Sequence, residues 1–282
     1  MAGFFGLFNY EKEGPGISKN APKKKTFIVF FETFFRNFWK FININLVYSV
    51  ILLPIVTSGL AAAGITNVTR NIARDKHSFG LSDFFETIKK NWKQALPVGI
   101  INALLYMILL FDIYFFYYCS EGAMATVGLA VAFSMTFIFT VMQFYIWTLM
   151  ITFDFKLKQL YKNSFKFVFI NMKMNLLCLF SIALIYAVNI AILLLFKSHF
   201  FPVLSIELFL YIILFPSFRY LLVQYCVFPS VKKYIIDPYY EEHPDEDIEK
   251  RRNLGIEVER KTEPTPDGED GGEEEPENVF ED

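Results

Sequence analysis

Residues 41–74 read FININLVYSVILLPIVTSGLAAAGITNVTRNIAR, and the interpretation of this stretch decides the fold. It is apolar from about 42 to 66, enough for one membrane crossing, which needs about 20 residues to span about 30 Å of hydrocarbon. A single crossing would put Arg36, Lys40 and the basic residues before them on the opposite face from Arg70, Arg74, Lys76, Lys89, Lys90 and Lys93. A helix break at Pro54 makes the same stretch a hairpin and returns both basic groups to one face. The distance is tight: 14 residues from Lys40 to Pro54 cover about 21 Å of helix. The first helix therefore borrows from the segment before it, with Lys40 and Arg36 snorkelling.

Outward from the hairpin, further apolar runs occupy about 95–118, 123–153, 174–196 and 202–228. They are continuously apolar rather than alternating, which predicts helices and not barrel strands. Composition agrees: 54% of the 282 residues are hydrophobic and 18% aromatic, with 34 Phe, and only 20% are charged. A disulfide scaffold, collagen and overall disorder are excluded. With the hairpin, 25 of the 27 Lys and Arg fall on one side, leaving Lys197 in an outer turn and Arg219 inside a span. The positive-inside rule then places both termini in the cytoplasm. The expected fold is an all-α integral membrane protein, a six-helix transmembrane bundle of three helical hairpins. Its spans are about 36–53, 55–74, 95–118, 124–153, 174–196 and 204–228.

Each hairpin is introduced by a basic amphipathic segment, at about 27–41, 83–94 and 154–173. In the first, Phe27, Phe30, Phe31, Phe34, Phe35, Phe38, Trp39 and Ile42 form one helical stripe opposite Glu32, Arg36 and Lys40. That pattern suits a helix at the headgroup boundary, anchored by Trp39, Lys40 and Arg36, or one packed on the bundle. In the second, Asp83 and Glu86 have capping-box spacing, with Phe84, Phe85, Ile88, Trp92 and Leu96 as the apolar face and Trp92 as the anchor. In the third, Leu157, Leu160, Tyr161, Phe165 and Val168 share a face.

Side chains for chemistry are sparse. Cys119, Cys178 and Cys226, like His77, His199 and His243, are scattered without metal or nucleophile spacing, so no enzyme activity, metal or cofactor is expected. The candidate functional groups are polar residues inside spans, which are costly in lipid unless satisfied. Arg219 is the deepest charge and follows the helix-breaking Pro216; Asp112 and Glu207 lie toward the outer ends of their spans, either within conceivable reach of Lys197. Asn43, Asn45, Asn102, Gln143, Asn189 and Gln224 add amides, suited to interhelical hydrogen bonds or to a solute path.

Charge divides the chain. Residues 1–236 carry a net +12 and residues 237–282 a net −14. A basic cytoplasmic tail at 1–25 thus precedes the membrane domain at 26–236, and an acidic, disordered cytoplasmic tail at 237–282 follows it. The expected contacts are the bilayer and anionic headgroups at the cytoplasmic face; nucleic-acid binding is not expected.

Several stretches together resemble the YesL family: Gly14-Pro15-Gly16-Ile17-Ser18-Lys19-Asn20, Leu53-Pro54-Ile55-Val56-Thr57, Lys90-Asn91-Trp92-Lys93-Gln94, Thr152-Phe153-Asp154-Phe155-Lys156 and Lys232-Lys233-Tyr234-Ile235-Ile236-Asp237-Pro238. The resemblance covers about residues 3–243 and implies a bacterial cytoplasmic-membrane protein of a class without assigned function, often encoded near carbohydrate uptake genes. The expected role is a non-enzymatic accessory or scaffold component, with an uptake system as membrane-protein partner. The alternative is a small transporter or permease subunit with a polar path near Arg219 and Asp112.

Overall fold

The computed structural model describes residues 26–243, which fall into two compact units that part between Ile235 and Ile236. The basic stretch 1–25 and the acidic stretch beyond 243 lie outside the described residues. The first unit runs through α1 (Thr26–Arg36), α2 (Phe38–Leu52), α3 (Ser58–Ala73), α4 (Leu81–Tyr118), α5 (Gly122–Thr152), α6 (Leu157–Ile170), α7 (Met172–Leu195) and α8 (Phe200–Val231). The second holds α9 (Asp237–Glu242), with Pro238 in its first turn, where a missing N–H costs nothing. No strand occurs among the described residues.

Four helical stretches are long and apolar enough to cross a membrane: α4, α5, α7 and the run from Lys197 that contains α8. Only 11–17% of their most apolar windows is buried within the protein, so most of that apolar surface is left for lipid to cover. The chain turns back at Pro54, which is extended and followed by a short 3-10 turn, Ile55–Thr57. The Thr57 hydroxyl holds the turn by donating to the carbonyls of Pro54, at 2.8 Å, and Ile51. The helices on either side are shorter than the spans 36–53 and 55–74: α2 has 15 residues and α3 has 16, about 22 and 24 Å at the helical rise. Helix α1 extends the first of them across a single-residue turn at Asn37. The Asn37 N–H donates to Thr33 O at 3.2 Å and the Phe41 N–H to Asn37 O at 3.0 Å, so the ladder is barely interrupted.

Helix α3 is the centre of the bundle and packs against α2, α4, α5 and α8. It can do so because its inward positions are small: Gly59, Ala61, Ala62, Ala63 and Gly64 are all buried. Gly59 meets α4 backbone to backbone. A Cβ there would collide with the Ala95 carbonyl oxygen and approach the Gly99 Cα to 2.8 Å. One at Gly99 would lie 2.6 Å from the Gly59 nitrogen. Close approach through paired small residues is how helices associate in lipid, where no hydrophobic effect drives them together. Lower on α3, Gly64 receives the ring of the fully buried Phe84. In α5 every residue from Val141 to Met150 is buried, making this half of the helix a core element on all sides.

The aromatic stripe of α1 is divided. Phe30 stands edge-on to Phe218 and Tyr225 at 5.1 and 5.5 Å, and Phe34 to Phe218 at 5.2 Å, so this half packs on α8. Phe27, Phe35 and Trp39 remain exposed. The polar face is tied to the loop after α3 instead of reaching outward. Arg36 pairs with Asp75 at 2.6 Å and the Lys40 ammonium donates to Ser78 O at 2.7 Å. Both members of the ion pair are exposed, so it contributes under about 1 kcal/mol.

Two amphipathic segments differ from their sequence reading. Residues 83–94 are not a separate helix; they are the start of the 38-residue α4, which runs through Pro97 into the apolar span. Its N-cap is Gly80, at φ +66°, and Asp83 sits inside the first turn. There the carboxylate accepts from the Ser78 hydroxyl at 2.7 Å and the Phe79 N–H at 3.1 Å, at the favourable end of the helix dipole. The segment 154–173 forms α6 only over Leu157–Ile170. Its buried face is Leu160, Ser164, Phe167 and Val168, while Phe165 and Leu157 point outward. Periodicity chose Phe165 where packing chose Phe167, whose ring stacks on Tyr145 at 4.9 Å.

Candidate functional site

The site begins with a defect in α8. Proline at 216 cannot donate to the preceding turn, and its ring prises the ladder open. The side chain of Asn45, from α2, fills the gap. Its amide nitrogen donates to Ile213 O at 2.6 Å, and its oxygen accepts from the Ser217 N–H at 2.9 Å and the Ser217 hydroxyl at 2.6 Å. The Ile213 carbonyl and the Ser217 N–H, beside the proline, each gain a partner in this one fully buried amide. The helix continues, and one turn on it carries Arg219.

Arg219 lines a half-open cavity of about 320 Å³ between α2, α3, α4, α5 and α8. The lining runs from Leu52 and Ser58, beside the Pro54 turn, to Thr66, Gln143 and Gln224 deeper in the bundle. It includes the phenols of Tyr48, Tyr106 and Tyr220 and the indole of Trp147, and it contains no Asp or Glu. The guanidinium lies 5.6 Å from the centre of the Tyr220 ring, a cation–π contact. Among the described residues no carboxylate or other hydrogen-bond acceptor engages it. A permanent cation thus lines the cavity beside the Tyr220 ring, with no acidic side chain in the lining.

Amides complete the wall. Asn102 donates to Gln143 Oε1 at 2.9 Å and accepts from the Tyr161 hydroxyl at 2.6 Å, which draws α6 onto the bundle. Gln224 donates to the Thr148 hydroxyl at 2.9 Å. After these bonds Gln143 Nε2 and Gln224 Oε1 are left buried without a partner, one donor and one acceptor.

The remaining sequence candidates lie elsewhere. Asp112 is not on the Arg219 cavity; it edges a separate, mostly apolar pocket of about 280 Å³ with Leu109, Phe116, Gly128 and Met135. A single path through Arg219 and Asp112 is thus not formed. Glu207 leaves one carboxylate oxygen buried and unpartnered, and neither acid is in ion-pair contact with Lys197. Asn189 donates to its own helix at Ile185 O, 2.7 Å, and Asn43 is exposed. Trp92, like Trp39, is exposed. Cys178 and Cys226 are buried and Cys119 exposed, all free. Among the described residues no three His, Cys, Asp or Glu side chains gather as a metal site.

Two structural amides escaped the sequence reading. Asn175 donates to the Phe167 and Val168 carbonyls at 3.0 and 3.1 Å, closing the C-terminus of α6, and accepts from the Tyr145 hydroxyl at 2.7 Å. Asn171 bonds Tyr145 and the Cys226 carbonyl. Their signal was the i, i+4 spacing at a helix junction. Arg70 likewise closes α5, donating to the Thr152 hydroxyl at 2.7 Å and to Ile151 O at 3.4 Å.

Residues 41–113 match the family model "Protein of unknown function, DUF624". The DUF624 match runs from α2 through most of α4, the part that holds the Pro54 turn, the Gly59–Gly99 contact and the cavity residues Tyr48, Thr66, Asn102 and Tyr106. Arg219 and the α5 wall lie outside it. No match is found among curated proteins or among solved structures.

Proposed function

We propose that this is a six-span membrane protein that holds a small solute in the Arg219 cavity, as a transporter or solute-binding subunit. The observation that carries the reading is an arginine within the apolar helix α8, without an acidic partner, lining a cavity of about 320 Å³. That volume is at the small end of the range for small-molecule sites, about 300–1,000 Å³. An uncompensated charge at this depth costs several kcal/mol, and such a residue is retained where it has work to do. An accessory or scaffold role alone would leave the cation without a use.

Six crossings follow from giving α2, lengthened by α1, and α3 one crossing each, which keeps the basic linkers on one face. Both termini are then cytoplasmic, and the cavity opens toward the outer face, beside Pro54. Association with a carbohydrate-uptake system, implied by the YesL resemblance, suits a bacterial inner-membrane component of this kind.

Trp147 supplies the test. Of the three tryptophans, Trp39 and Trp92 are exposed and Trp147 lines the cavity. In a Trp39→Phe, Trp92→Phe protein, acrylamide is expected to quench Trp147, and Ala103→Phe, which fills the cavity, is expected to remove the quenching. A Trp147 that acrylamide never reaches would contradict a solute cavity.

A further inference from the structure

We infer that the cavity takes a small hydroxylated monocarboxylate, an assignment that rests on the solute-site reading and adds the class of solute. The argument starts from charge. The lining carries one cation and no acid. The guanidinium is half-buried and its nitrogens are not sealed off, so a single carboxylate entering the cavity can reach and neutralise it. A guanidinium also matches a carboxylate in shape, with two parallel N–H donors for its two oxygens.

The count of one cation discriminates among anions. A phosphate monoester carries about −1.5 to −2 at pH 7, so it would exchange an unpaired positive charge for an excess negative one in the same low-dielectric space. A neutral sugar would leave the guanidinium uncompensated. A monoanion balances the site, and among monoanions a carboxylate matches the two parallel donors of the guanidinium.

The remaining wall describes the body of the solute. The hydroxyls of Ser58, Thr66, Tyr48 and Tyr106 line the cavity, and each can accept from or donate to a hydroxyl on the solute. Tyr48, Tyr106 and Trp147 offer aromatic faces around it. Such a wall fits a body of a few carbons bearing hydroxyls.

Glycerate and glycerol make the comparison, since they share a hydroxylated skeleton and differ in the carboxylate. The single-tryptophan protein in nanodiscs of zwitterionic lipid is titrated with each while acrylamide quenching of Trp147 is followed. Glycerate at millimolar concentration is expected to protect Trp147, and glycerol is not. Arg219→Gln is expected to weaken the protection about tenfold or more, and Arg219→Lys, which keeps the charge without the fork, to lie between. Because the glycerate–glycerol contrast is read with Arg219 in place, it stands even if neither variant folds. Equal protection by glycerol, or none by glycerate while acrylamide still quenches, overturns the carboxylate and leaves the solute cavity standing. Protection by inorganic phosphate or by anionic lipid in place of glycerate overturns it in favour of those occupants. Loss of acrylamide quenching itself overturns both.

Discussion

Gly59→Leu is expected to leave little or no monodisperse protein in detergent extracts. The position has no room at all: even a Cβ would collide with the Ala95 carbonyl oxygen, and the next nearest atom is the Gly99 Cα at 2.8 Å. Both are backbone, so neither can move aside as the tip of a side chain could. Overpacking a core typically costs about 1–3 kcal/mol where side chains can give, and here the adjustment is a separation of α3 from α4. That separation would loosen the helix that contacts α2, α4, α5 and α8, so the expected loss exceeds about 3 kcal/mol, a large share of ordinary stability. Gly99→Leu should behave the same way, since it meets Gly59 from the other side. Gly122 provides the contrast, with nothing within 4 Å of an added Cβ and only a positive φ of 67° to satisfy. Gly122→Asn, a residue tolerant of that conformation, should stay within about 1 kcal/mol of the parent. Thermal unfolding followed by size-exclusion chromatography would rank the three.

The second large effect is expected at Asn45. Replacement by Leu keeps the branched shape and removes the amide that bonds the Ile213 carbonyl, the Ser217 N–H and the Ser217 hydroxyl. Each unsatisfied group costs about 1–3 kcal/mol, so Asn45→Leu should destabilise by roughly 2–5 kcal/mol. The cause can be isolated. With Pro216→Ala the missing N–H is restored to the Ile212 carbonyl and the ladder around Ser217 can tighten, so Asn45 matters less. The Asn45→Leu cost in that background should fall by at least about 1 kcal/mol, a coupling measurable as a double-mutant cycle of melting temperatures. Additive effects would mean that Asn45 does not act through the proline break.

Hydropathy and charge made the long helices and the Pro54 turn readable, because both signals lie along the chain. Position along a helix was readable too: Arg219 lies well inside α8, and Asp112 and Glu207 nearer the ends of their helices. Azimuth was not. Spans that are apolar on every side carry no moment to say which residues point inward, so Asp112 and Arg219 looked like neighbours although they line separate cavities. The cavity itself is assembled from five helices spread between Tyr48 and Gln224, and no local pattern records it. The same limit applied to α6, where Phe165 and Phe167 are equally apolar and only the Tyr145 ring distinguishes them. In α4, the Asp83–Glu86 spacing suggested a short capped helix, yet Gly80 caps it and the helix runs on past Pro97. Asn45 and Pro216 were each visible as oddities in the sequence. Their meeting, across 171 positions, was not.

The six-span arrangement stands or falls on the side of the membrane reached by the two ends of α3. Val56, in the turn after Pro54, and His77, in the loop after α3, are both exposed. In a Cys119→Ser background, which removes the exposed native thiol and keeps the buried Cys178 and Cys226, single Val56→Cys and His77→Cys proteins can be treated in intact cells with a membrane-impermeant maleimide. Val56→Cys is predicted to label in intact cells and His77→Cys only after permeabilisation. Labelling of both from the same side would contradict the hairpin as a pair of crossings and close the outer route to the Arg219 cavity.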